Sequence, residues 1–200
     1  FHAHMRQVIE DTCRIGSGVL KGPLPTNQRR LAYLGGQNGQ PGQLVIKATI
    51  EPGSTRRDPW NFYPDPSCGE SIHNGGYVWE RDDITRRKLM ELKGVPGYID
   101  PQIERCLEEG AFQATRTTPK REDLLSGLKL RSSQKDLFEI WYWYGLVNRD
   151  DLEAAGCPCP DLEVLHGQVT MVNNHAIRAI MNPIDTGGFP YDIMVYQRRA

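Results

Sequence analysis

The chain has 200 residues, enough for one domain with a buried core. Its 24 Lys and Arg against 25 Asp and Glu leave a net charge of −1, which argues against a dedicated nucleic-acid binder, since such proteins carry a basic excess. No apolar run approaches the roughly 20 residues that a membrane-spanning helix needs, and no secretory signal is visible at the start.

Met5, Val8, Ile9, Thr12 and Cys13 recur at helical spacing, which predicts an amphipathic helix ending near Gly16. Gly16-Ser17-Gly18 ahead of Lys21 has part of the composition of a phosphate loop. The spacing departs from that motif, so a helix-to-strand turn is the stronger reading. GGQNGQPG at residues 35–42 reads as a loop. Residues 43–51 then alternate, with Leu44, Ile46, Ala48 and Ile50 on one face, which predicts a half-buried strand. DPWNFYPDP at residues 58–66 holds three prolines that impose an extended, turn-punctuated path. Its rings, Trp60, Phe62 and Tyr63, are expected to pin that path onto a sheet.

Residues 77–81 read as a short strand, followed by Thr85 as a helix N-cap with Ile84 and Leu89 as a hydrophobic staple and Gly94 as the stop. Asp100-Pro101 opens another helix as cap and first-turn proline, with Ile103 and Leu107 inward and Gly110 at its end. Residues 115–136 are polar without periodicity, and a long, mobile connection is expected there. Residues 137–144, LFEIWYWY, alternate: Leu137, Glu139, Trp141 and Trp143 face one way, Phe138, Ile140, Tyr142 and Tyr144 the other. Gly145 is expected to end that strand. Asn173-Asn174 between residues 169–172 and 175–180 is the strongest hairpin signal, because Asn tolerates the positive φ of a type I′ turn. Pro183 stops the return strand, and residues 186–188 turn the chain into a last strand at 189–196. The pattern predicts an α+β fold: an antiparallel sheet of three or four strands, a few short flanking helices and long loops, in a single domain over residues 1–200.

The chemistry-bearing residues each have a plain alternative. Cys157 and Cys159 with His166 and His175 suggest zinc, but only one residue separates the thiols, so a loop with two small buried thiols is the stronger reading. Five cysteines, an odd number, fit reduced thiols in a cytosolic setting. The acidic pairs Asp82-Asp83 and Asp150-Asp151 suggest carboxylate or metal-assisted chemistry, yet both fall at expected helix starts, where the helix dipole favours acid. Trp141, Tyr142, Trp143 and Tyr144 suggest a platform for stacking bases, so a nucleic-acid-binding module is the alternative function. No basic residues interleave with these rings, and a sheet core or subunit contact is the stronger use. No residue is assigned to catalysis, to a cofactor or to a metal.

Six runs occur in a telling order: GSGVLKGP (16–23), DPWNFYPDP (58–66), GGYVWERDDITRRKL (75–89), FEIWYWYG (138–145), VTMVNNHAIRAIMNP (169–183) and FPYDIMVYQRR (189–199). Together they resemble the portal proteins of tailed bacteriophages, in the short-tailed branch. The resemblance implies a non-enzymatic, structural subunit of a ring, usually of twelve copies, at one capsid vertex. It implies contacts with other portal subunits and with capsid or scaffolding protein. Terminase, tail adaptor and packaged DNA would be met through a stem, clip and channel loop outside this chain. It implies the outer wing region, with the virion, and host cytoplasm during assembly, as its place, and no membrane. The opening at Phe1 is expected to mark a piece of a longer protein.

Overall fold

The computed structural model describes residues 2–34, 43–111, 137–154, 156, 160–182, 184 and 188–196. In chain order these form α1 (His2–Ile15), β1 (Ser17–Leu34), β2 (Gln43–Arg57), β3 (Phe62–Pro64), β4 (Tyr77–Thr85), α2 (Arg86–Glu91), α3 (Asp100–Glu109), β5 (Leu137–Asn148), α4 (Arg149–Ala154), β6 (Val164–Val172), β7 (His175–Met181) and β8 (Tyr191–Val195). The fold is α+β, with two antiparallel sheets ordered β2-β1-β8 and β3-β4-β5-β6-β7. The chain groups into two compact units, Phe1–Pro59 with Pro190–Ala200, and Trp60–Phe189. The last strand returns to β1, pairing Ile193 with Val19, and lies in a different sheet from the hairpin before it. The expected loop at 35–42, the connection at 115–136, Pro183 and the turn at 186–187 lie outside the described residues.

In the first unit, α1 buries Val8, Asp11 and Thr12. The expected face is rotated: Ile9 and Cys13 are exposed. Asp11 turns inward because Arg56 of β2 donates to it, and the Thr12 hydroxyl donates to the Val8 carbonyl, so neither buried polar group lacks a bond. Gly16 takes a φ of +91°, and a Cβ at Gly18 would stand 2.4 Å from the Val8 oxygen. The glycine run therefore serves the turn and the close approach of strand to helix. Strand β8 pairs only with Ser17–Lys21, and beyond a bulge β1 and β2 run on as a two-stranded ribbon from the Leu24/Gly53 pair to the Leu34/Gln43 pair. The half-buried strand expected at 43–51 is corrected here: Leu44, Ile46 and Ile50 are 67 %, 65 % and 78 % exposed.

In the second unit the strands form a meander, each pairing with its neighbour in sequence. The alternation in β5 holds: Phe138, Ile140 and Tyr144 are buried, while Trp141 and Trp143 are half-buried on the other face. Gly145 does not end the strand, which runs to Asn148. A Cβ there would meet the Trp143 ring at 2.6 Å, so the glycine makes room for indole. Helices α2 and α3 cover the Phe138 face, placing Leu89, Ile103 and Cys106 against Phe138, Ile140, Val172 and Ile177. Thr85 caps α2 by accepting from the Lys88 amide, and Ile84 packs on the same cluster as Leu89. At α3, Ile99 takes the N-cap position instead of Asp100, whose carboxylate accepts from the Gly94 amide. Helix α4 sets Leu152 beside Leu165 and Ala179 at one end of the opposite face. Asn173 and Asn174, at φ 50° and 65°, make the expected turn between β6 and β7. The edges of this sheet are protected: β3 is short, and along β7 Tyr98 bridges Arg178 while the Ile99 amide donates to the Ile177 oxygen.

Candidate functional site

Direct pairing puts residues on one face of a sheet, and the register pairs Tyr63 with Trp79, Trp79 with Trp143, Arg81 with Trp141, and Trp141 with Met171. Four strands thus contribute to one patch. The prolines of the 58–66 run hold β3 in short 3-10 turns on either side, Pro59–Asn61 and Pro66–Cys68. Phe62 goes into the core and Tyr63 onto the patch, while Trp60 is 60 % exposed, so two of the three expected rings pin the segment.

Tyr63, Trp79, Trp141, Met171 and Asn174 line a cleft of about 350 Å³. Trp79 and Trp141 stand edge to face, 6.0 Å apart at 86°. Tyr63 lies 5.8 Å from Trp141, and Trp143 backs Trp79 at 6.3 Å. On the same face, directly opposite Trp141 in the register, the Arg81 guanidinium lies 5.9 Å from the Trp141 centroid. It donates from Nε and Nη2 to Asn61 Oδ1 at 3.1 and 2.9 Å and stands 3.8 Å from the Glu139 carboxylate. Arg81 is therefore fixed in place, its charge offset by Glu139, and it orients the indole beneath it. The Tyr63 hydroxyl is engaged as well, donating to the Trp60 carbonyl. A cleft with two perpendicular indole walls, a thioether and one amide at its rim suits the binding of an apolar group by ring contact and burial.

The aromatic run splits across the sheet: Trp141 and Trp143 belong to the cleft, while Tyr142 and Tyr144 face the helices, Tyr144 fully buried. Asp82 and Asp83 lie within β4 and not at a helix start, a correction caused by the strand running on to Thr85. Asp150 and Asp151 do occupy the first turn of α4. Cys157 and Cys159 lie outside the described residues. His166 is exposed on β6, and His175 sits 2.9 Å from Glu109. Among the described residues, no three His, Cys, Asp or Glu side chains are grouped to hold a metal ion.

Tyr63, Trp79, Arg81, Met171 and Asn174 were not singled out as a site from the sequence. The signal for part of it is local: Tyr77, Trp79 and Arg81 alternate, which puts them on one side of a strand. Their meeting with Trp141 depends on register between distant segments.

No protein-family model matches the chain, and no curated protein matches it.

Proposed function

We propose that the chain is a structural subunit of a bacteriophage portal ring, non-enzymatic, at one capsid vertex through which DNA is packaged and ejected. The observation that carries this reading is where the resembling runs lie. The first and last pair directly as β1 and β8. The DPWNFYPDP, GGYVWERDD, FEIWYWYG and VTMVNNHAIRAIM runs supply the adjacent strands β3 to β7. Runs far apart in sequence thus make up the two sheet frameworks. A second support is the pair of open apolar surfaces, one on the β1–β2 ribbon and one at the aromatic cleft, which suit a chain that works through contact with other chains.

Its partners in this reading are further copies of itself, twelve in the ring as the resemblance implies, with capsid or scaffolding protein around it and terminase and tail adaptor bound through other regions. The test is electron microscopy of the protein expressed from its whole reading frame. Closed rings with a central channel are the expected outcome. A whole protein that stays monomeric at micromolar concentration overturns the reading.

One observation favours nucleic-acid binding at the aromatic strand instead: Arg81 places a cation against Trp141, which the run itself lacks. Asn61 and Glu139 already engage that guanidinium, so it is poorly placed to meet a phosphate. Submicromolar, salt-dependent binding of single-stranded DNA at physiological salt would favour this second reading over the first.

A further inference from the structure

The β1–β2 ribbon is amphipathic with a period of two. Leu31 pairs with Ile46, Tyr33 with Leu44, and Asn27 with Ile50, so these side chains share one face. On the other face Arg30 donates to Glu51 at 3.1 Å, and Lys47 pairs with Arg30. The five large apolar residues of the first face are 65–78 % exposed. Together they present on the order of 600 Å² of apolar surface, at the top of what a monomer shows and close to the ~800 Å² that each partner contributes to a standard interface. A two-stranded ribbon with an uncovered face is also marginal in water by itself.

We propose that the apolar face of this ribbon docks into the aromatic cleft of a second copy of the chain. The inference rests on the assembly reading above and names the surfaces that meet. Ribbon and cleft are complementary in three ways. The ribbon face presents the branched aliphatic side chains of Leu31, Leu44, Ile46 and Ile50 with the ring of Tyr33, and the cleft is concave and walled by Tyr63, Trp79, Trp141 and Met171. The cleft volume of about 350 Å³ takes roughly two or three such side chains at interior packing density. Arg30, Lys47 and Glu51 stand on the ribbon's back and stay in water when the front is covered, and Arg29, opposite Ala48, is the one charged position that the register puts among the front pairs. Because the two surfaces differ, the contact is heterologous: each copy offers a ribbon to one neighbour and a cleft to another, the arrangement that builds rings.

The test is complementation, read by sedimentation across concentration. The wild-type chain is expected to associate reversibly. Ile46→Glu on the ribbon and Tyr63→Ala on the cleft rim each weaken that association at least tenfold. Both positions are exposed, and unchanged circular dichroism checks the fold; Met171→Lys is a second cleft variant. Mixed together, a ribbon variant and a cleft variant restore a one-to-one dimer that does not grow, because each keeps the surface the other lacks. A wild-type chain monomeric up to millimolar concentration overturns the inference. So does a variant of either surface that associates like wild type, or a mixture that fails to restore the dimer. These failures are separate from that of the ring reading, which falls only if the whole protein forms no ring.

Discussion

Arg56 Nε donates to the Asp11 carboxylate at 2.6 Å, and this pair fastens the N-terminal helix to β2. The Asp11 side chain keeps 9 % of its exposure and Arg56 keeps 26 %, with Asp58 a further 4.0 Å away. The bond to Asp11 is the main cause that raises the Arg56 pKa. A raised Arg pKa means that the stability it brings is fully present below the ordinary arginine value and is lost only above it, so this contribution of Arg56 is constant across ordinary working pH. Arg56→Ala strands a mostly buried carboxylate. It is expected to cost about 2–3 kcal/mol, below the range for a fully buried pair because Arg56 is partly solvated. The denaturant midpoint checks this, and a shift under 0.5 kcal/mol contradicts it.

The two faces of β5 are expected to respond differently to truncation. Phe138 is fully buried beneath α2 and α3, so Phe138→Ala opens a cavity and costs about 3–5 kcal/mol. Trp141 is half-buried at the wall of an open cleft, so Trp141→Ala costs about 1–2 kcal/mol, mostly lost ring contacts. Equilibrium unfolding of the two variants side by side gives the order. A Trp141 variant less stable than the Phe138 variant places the core on the wrong face.

Asp65 holds the segment between β3 and β4. One carboxylate oxygen accepts from the amide and hydroxyl of Ser67, the other from the Gly76 amide. These bonds, the Ser67 amide first, lower its pKa below the ordinary carboxylate range. A lowered pKa contributes order that is present above about pH 4 and lost as pH falls through the folded value. Amide exchange at Ser67 and Gly76 is therefore expected to speed up on acidification below pH 4, and in Asp65→Asn that dependence disappears. Exchange rates that follow only intrinsic acid catalysis in both proteins rule it out.

Cys106 is fully buried, and its thiol donates to the Val172 carbonyl at 3.3 Å. Burial, with a smaller part from Glu109, pushes its pKa up to about 11, so it stays a neutral thiol at pH 8. Cys13 is exposed. Alkylation followed by peptide mass spectrometry is expected to label Cys13 in the native protein and Cys106 only after unfolding. Equal labelling of the two under native conditions contradicts the packing of α3 on the sheet.

Periodicity and local chemistry determined much of this protein from the sequence. The alternation of Phe138, Ile140 and Tyr144 against Trp141 and Trp143 assigned each ring to its face of β5. Asn173-Asn174 placed the hairpin, and Thr85 with Gly110 marked helix ends, because capping and positive φ depend on residues near in sequence. The α+β class followed from those elements. What only the tertiary structure decided is which strands meet. Tyr191–Val195 reads the same whether it joins the hairpin or β1, since pairing is chosen by distant partners. Leu44, Ile46 and Ile50 carry the pattern of a buried face, and whether anything covers them is no property of their own segment. The aromatic cleft arises where Tyr63, Trp79, Trp141 and Met171 fall into register from four strands, a coincidence in space that no local window contains.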